Sequence, residues 1–171
     1  MFATRAHEGT LRKGSGIPYI YHPMEVALIV AQMTTDEDVI AAAYLHDVLE
    51  DTDVTAEALE LTFGSRILEL VLAETEDKSL TWQERKDSTV EHLKYASREV
   101  KLLTLADKLS NLRSTARDYM VIGDEVWNRF NEKRKECHRR YVRGILDNLS
   151  DLEDYPAYRE LLGLYKFVYG A

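Results

Sequence analysis

The stretch His46-Asp47-Val48-Leu49-Glu50-Asp51 gathers one imidazole and three carboxylates into six residues. If the helix that precedes it continues, Glu50 lies at i+4 from His46 and i+3 from Asp47, and Asp51 at i+4 from Asp47, so all four groups face one side. Three carboxylates this close repel one another unless a cation neutralises them. Imidazole and carboxylate donors together suit Mn²⁺ or a related divalent ion, and the absence of a thiolate argues against a structural zinc site. The chemistry expected here therefore involves a bound cation.

Other residues could complete such a site. The segment 6–23 carries Gly14, Gly16 and Pro18, the marks of an ordered loop, with the adjacent bases Arg12 and Lys13 on one side and His22 beside a helix start at Pro23. Arg12 and Lys13 suit a phosphorylated ligand, one as a planar fork and the other as a point charge. Taken alone, an adjacent Arg-Lys pair is more often a solvated surface feature. Asp107 and Asn111 stand four apart in an otherwise apolar helical stretch and so point the same way. A carboxylate buried there needs a partner or a metal. The mixed-charge face over 132–140, with Cys137 and His138, reads as solvated. His7 reads as a packed or hydrogen-bonding residue and His92 as a helix-surface one.

Elements that could position these groups follow from hydrophobic spacing. Pro23 suits the first turn of a helix through Met33, and Thr34-Thr35-Asp36 caps the next, expected over 36 to about 50. Thr55 can cap a helix over 56–63, Gly64 separates it from one reaching about Glu74, and further helices are expected over 82–95, 98–119, 126–149 and 158–169. Three Pro, eight Gly and no period-2 runs leave little room for a sheet. The expectation is one all-α domain over residues 1–171.

Composition bounds the partners. Lys plus Arg at 22 against Asp plus Glu at 30 gives −8, which argues against a nucleic-acid polymer or an anionic membrane. A small polyphosphate can still bind where a metal and a few local bases act together. A single Cys137 fits a reducing compartment, and no apolar run approaches the ~18–20 residues of a membrane span, so a cytoplasmic location is expected.

Taken in order, these segments resemble the HD-domain hydrolases of the Rel/SpoT group, in particular the small stand-alone alarmone hydrolases and their metazoan homologues. The resemblance is carried by Ala6-His7-x-Gly9, Arg12-Lys13, Pro18-Tyr19-Ile20-x-His22-Pro23, His46-Asp47-x-x-Glu50-Asp51-Thr52, Phe63-Gly64 and Leu105-Ala106-Asp107-Lys108-Leu109-x-Asn111-Leu112-Arg113. A bare His-Asp pair is weak; the whole ordered set, over most of the chain, is specific. It implies an HD-domain helical bundle with His22, His46, Asp47 and Asp107 as ligands of one Mn²⁺. Glu50 and Asp51 match the acidic pair that activates water, and Arg12, Lys13, Asn111 and Ser114 match positions lining the nucleotide pocket. The implied reaction is removal of the 3′-pyrophosphate of ppGpp or pppGpp to give GDP or GTP. Two rivals stand beside it: an HD-type phosphohydrolase on another nucleotide, such as the 2′-phosphate of NADPH, and a non-catalytic nucleotide-binding module.

Four features depart from the family pattern, one of them the loop from Arg12-Lys13 to Pro18, whose length varies among relatives. Thr10 replaces a Gln, Ser110 replaces a bulkier residue, and only six residues precede His7, consistent with a missing N-terminal extension. None falls on the metal set. The length leaves no room for a synthetase domain, so hydrolysis alone is expected.

Overall fold

The computed structural model describes residues 2–170. These residues form ten α-helices and two short 3₁₀ segments, with no strand among them. The only pairing of extended backbone described is an isolated bridge between Leu11 and Pro18. The all-α expectation is met. The chain separates into two compact units: one takes the residues up to Glu76 together with Arg98–Asp107, the other Asp77–Ser97 together with the residues from Lys108 onward.

The first unit contains α1 (Phe2–Ala6), α2 (Tyr21–Ala31), α3 (Glu37–Leu45), α4 (Val48–Asp51), α5 (Ala56–Phe63), α6 (Ser65–Glu74) and the first part of α8 (Arg98–Ile122). Its backbone of packing is α2 against α3, α3 against α6 and α6 against α5. α2 buries Val26, Ala27, Ile29 and Val30, α3 buries Val39, Ala42, Ala43 and Leu45, and α6 buries Ile67, Leu70 and Val71. The small Ala42 and Ala43 are fully buried, which lets neighbouring helices approach closely. Asp36 starts α3 as its N-cap, its carboxylate accepting from the Asp38 and Val39 amides, and also pairs with Arg66 of α6 at 2.5 Å. Thr55 starts α5 as the sequence suggests, accepting from the Ala58 amide at 3.2 Å.

One predicted boundary moves. The helix expected to run from 36 to about 50 ends at Leu45, and α4 begins only at Val48. His46 accounts for the break: its Nδ1 lies 2.8 Å from the Ala43 carbonyl, the acceptor an unbroken helix would offer to the Asp47 amide. Asp47 then sits at φ −96° and ψ −1°, at the edge of the right-handed helical region, as the N-cap of α4.

The second unit contains α7 (Trp82–Leu93), the rest of α8, α9 (Lys135–Asn148) and α10 (Pro156–Tyr169), with α9 packed on both α7 and α10. Thr81 and Glu84 form a reciprocal capping box at the start of α7. Gly144 lets α9 approach α7 closely, since a Cβ there would meet Val90 Cγ1 at 3.0 Å. The helix expected over 126–149 also splits. Gly123–Arg129 is 3₁₀ and α9 starts at Lys135. His138, expected in a solvated face, is half-buried instead: its ring lies 5.1 Å from Trp82, 5.2 Å from Trp127 and 5.1 Å from Phe130, and its Nε2–H donates to the Glu132 carbonyl. Aromatic burial outweighed the charges flanking it in sequence.

Candidate active site

The potential metal site lies within the first unit. α2 supplies His22, the turn between α3 and α4 supplies His46 and Asp47, and α8 supplies Asp107. His22, His46 and Asp107 are almost completely buried, at 3%, 2% and 5% exposure, so their chemistry depends on one another and not on solvent. One ligand atom from each lies within 4.8 Å of the other two, a group that could hold a divalent metal. Asp107 Oδ1 is 3.1 Å from His22 Nε2 and 3.6 Å from His46 Nε2. Asp47 flanks the group: its Oδ2 is 2.9 Å from His46 Nε2 and 3.4 Å from His22 Nε2.

The donors fit a cation. His46 commits Nδ1 to the Ala43 carbonyl, which leaves Nε2 facing two carboxylate oxygens. That nitrogen is buried and makes no hydrogen bond of acceptable geometry with any described atom. An imidazole anchored by one nitrogen on a backbone carbonyl and presenting the other to carboxylates is the usual support of a metal-bound histidine. Electrostatics agrees. Burial pushes the His46 imidazole toward neutrality, but Asp47 and Asp107 outweigh it and hold the pKa well above that of an ordinary histidine. Burial likewise opposes the charge on Asp47, and the two imidazoles outweigh it and hold that carboxyl well below the usual carboxylate range. Two carboxylates beside two imidazoles favour a positive charge between them, which a divalent ion would supply.

Glu50 and Asp51 come from α4. Glu50 is half-buried and accepts from the Glu76 amide at 3.3 Å. Burial raises its pKa above that of an ordinary glutamate, against the pull of the Glu76 amide and with help from the charges of Asp47, Asp51 and Glu76. Asp51 is exposed at the end of the helix. Because the helix breaks at residues 46–47, the one-face convergence expected of an unbroken helix does not apply, and the cluster owes its arrangement to the turn.

The loop before α2 is a tight excursion. The Arg12 amide donates to Ile17 and the Tyr19 amide to Thr10, both at 2.8 Å, while Gly14 and Gly16 take positive φ of 80° and 68° that other residues adopt only at a cost. Arg12 is half-buried with its guanidinium 6.0 Å from the centre of the Tyr19 ring, and Lys13 is exposed. Farther along α8, Asn111 is exposed and Ser114 half-buried, so the i,i+4 pair of Asp107 and Asn111 divides into one buried and one solvent-facing member.

Two residues that spacing left without a role stand out. Tyr19 donates its hydroxyl to Asp47 Oδ2 at 2.5 Å. Burial and the Asp47 charge push the phenol pKa far up, so the group stays a donor. His7 is 2% exposed with neither ring nitrogen hydrogen-bonded among the described residues, and burial lowers its pKa. Its ring packs 4.9 Å from that of Tyr19. Both occur in motif segments quoted above, but their function as neighbours of the ligands is a tertiary property.

A family model described as HD domain matches residues 1–134. The chain belongs to the HD-domain family. Among its relatives, guanosine-3′,5′-bis(diphosphate) 3′-pyrophosphohydrolase MESH1 of Homo sapiens is 46% identical over 157 residues, covering 90% of this chain and 86% of that protein. MESH1 of Danio rerio is 46% identical over 119 residues, which take in 68% of this chain and just under two thirds, 66%, of the zebrafish protein. Among solved structures, a metazoan ortholog of SpoT that hydrolyses ppGpp superimposes with a TM-score of 0.81 at 31% identity, over 96% of this chain and 90% of the other. The HD-domain fold expected from the ordered motifs is thereby established. Among the described residues no helix is long and apolar enough to cross a membrane.

Proposed function

We propose that this HD-domain chain is a metal-dependent hydrolase that removes the 3′-pyrophosphate of guanosine alarmones, converting ppGpp to GDP and pppGpp to GTP with release of pyrophosphate. The observation that carries the reading is the buried group of His22, His46 and Asp107 with Asp47 beside it, in a chain 46% identical to proteins named for that reaction. His22, His46, Asp47 and Asp107 would hold one divalent cation, with Mn²⁺ the metal proposed. Such an ion lowers the pKa of water and offsets phosphate charge.

The chain's own residues would do the rest. Glu50, whose pKa burial raises above that of an ordinary glutamate, would take a proton from the attacking water. Asp51 would orient that water from the end of α4. The water oxygen bonds to the phosphorus nearest the ribose, the bond from that phosphorus to the 3′-oxygen breaks, and the 3′-oxygen takes up a proton. Arg12 and Lys13 are proposed to bind phosphate oxygens, and Asn111 and Ser114 to contact the nucleotide. Residues 1–171 are read as one phosphohydrolase domain acting on a small molecule in the cytoplasm.

The test is product identity. Purified protein given ppGpp and Mn²⁺ should release pyrophosphate and GDP in equal amounts, resolved by anion-exchange chromatography and phosphorus NMR. Orthophosphate as the product, or a large preference for NADPH, would move the chain to a different HD-type reaction.

A further inference from the structure

Tyr19 stands where the loop meets the ligands, and all of its partners belong to the first unit. Its hydroxyl donates to Asp47 Oδ2, the same oxygen that faces His46 Nε2 at 2.9 Å and His22 Nε2 at 3.4 Å. Its ring lies edge-on to His22, with centroids 5.7 Å apart at 69°, and tilted against His7 at 4.9 Å. The backbone holds it as firmly: its amide donates to the Thr10 carbonyl, and its own carbonyl accepts from the His22 amide at 2.9 Å. The rings of His7, Tyr19, His22 and His46 thus form a continuous series, each packed on the next. A phenol held this rigidly fixes the torsion of the carboxylate it bonds. Without it, Asp47 could turn either oxygen, or neither, toward the two imidazoles.

We propose that Tyr19 is a positioning residue whose hydroxyl orients the Asp47 carboxylate for the divalent cation, and so sets the affinity of the site for metal. The proposal rests on the assignment of His22, His46, Asp47 and Asp107 as the metal site and deepens it. A hydrogen bond from outside onto a ligating carboxylate is worth 10–100-fold in metal affinity in comparable sites. A hydroxyl that merely satisfied a buried acceptor would leave that affinity unchanged.

The discriminating measurement is Mn²⁺ titration of chelator-stripped protein by calorimetry, with no substrate present. Tyr19→Phe keeps the ring and removes only the donor. It should bind Mn²⁺ about 10-fold or more weakly while keeping the parent's circular dichroism and melting temperature in the metal-free state. Tyr19→Phe placed on Asp47→Asn should add little to the loss that Asp47→Asn causes alone, because both remove one arrangement. With excess Mn²⁺, Tyr19→Phe should recover most of its kcat. Should the Phe variant fail to fold, Tyr19→Met, an apolar filler of similar length, answers the same question. Parental affinity in Tyr19→Phe, or losses that multiply fully in the double variant, overturns the role of Tyr19. His46→Ala separates the two levels: if it still binds Mn²⁺ at parental affinity, the site assignment fails, and the proposal with it.

Discussion

His46 gives its Nδ1 to the Ala43 carbonyl at 2.8 Å, and that single contact both breaks the helix and points Nε2 at Asp47 and Asp107. The turn and the ligand direction are one structural event. A side chain that takes a carbonyl three residues back competes with the helix for it, and the chain leaves the helix where the chemistry is needed.

Removal of metal should abolish turnover. Chelator-treated protein is expected to be inactive and to regain activity on titration with Mn²⁺, with other divalent ions restoring less. His46→Ala should lower Mn²⁺ affinity by two orders of magnitude or more, because it deletes one of the proposed metal ligands. Full turnover in metal-free protein, confirmed by elemental analysis, would remove the metal from the mechanism.

Replacing Glu50 by Gln and Asp51 by Asn together should leave Mn²⁺ bound and lower kcat by about 10²–10⁴-fold. Metal content and rate measured on one preparation decide this. Activity within a few-fold of the parent would place water activation elsewhere.

The same Glu50 makes a prediction of sign in pH. Its pKa is raised in the folded protein, so the native state binds the proton more tightly than the unfolded chain. Stability from this group is therefore highest at low pH and is lost as pH rises from the ordinary glutamate value through the raised one. Metal-free Glu50→Gln should accordingly be at least as stable as the parent at pH 7–8 in urea denaturation. A less stable Glu50→Gln at pH 8 would contradict the burial argument.

Arg12→Ala should raise KM for ppGpp about 10-fold or more with little change in kcat or Mn²⁺ affinity, since charge-assisted hydrogen bonds contribute roughly 1.5–3 kcal/mol. Lys13→Ala should do less, because Lys13 is exposed and its charge is screened. An unchanged KM in Arg12→Ala would take this residue out of substrate binding.

Away from the site, Gly144→Val should destabilise the second unit by about 1–3 kcal/mol, because its side chain would press on Val90, already 3.0 Å from a bare Cβ. Gly144→Ala made together with Val90→Ala should be more stable than Val90→Ala alone, as the clash is gone and Ala favours the helix. Thermal melts of these three variants and the parent test the sign.

By itself, the sequence determined the helical class and the caps at Asp36 and Thr55. These depend on local spacing and on residue chemistry, both of which are written along the chain. The convergence of His22, His46 and Asp107 was legible only through the ordered motifs, since these residues lie on three separate segments and no periodicity connects them. The tertiary structure alone decided the rest. It ended α3 at Leu45 because His46 competes for a carbonyl, and it buried His138 because aromatic neighbours distant in sequence enclose it. It split Asp107 from Asn111 in exposure, and it brought the Tyr19 hydroxyl onto a carboxylate 28 residues away. Each of these depends on which surfaces meet, and a pattern of spacing holds no record of that.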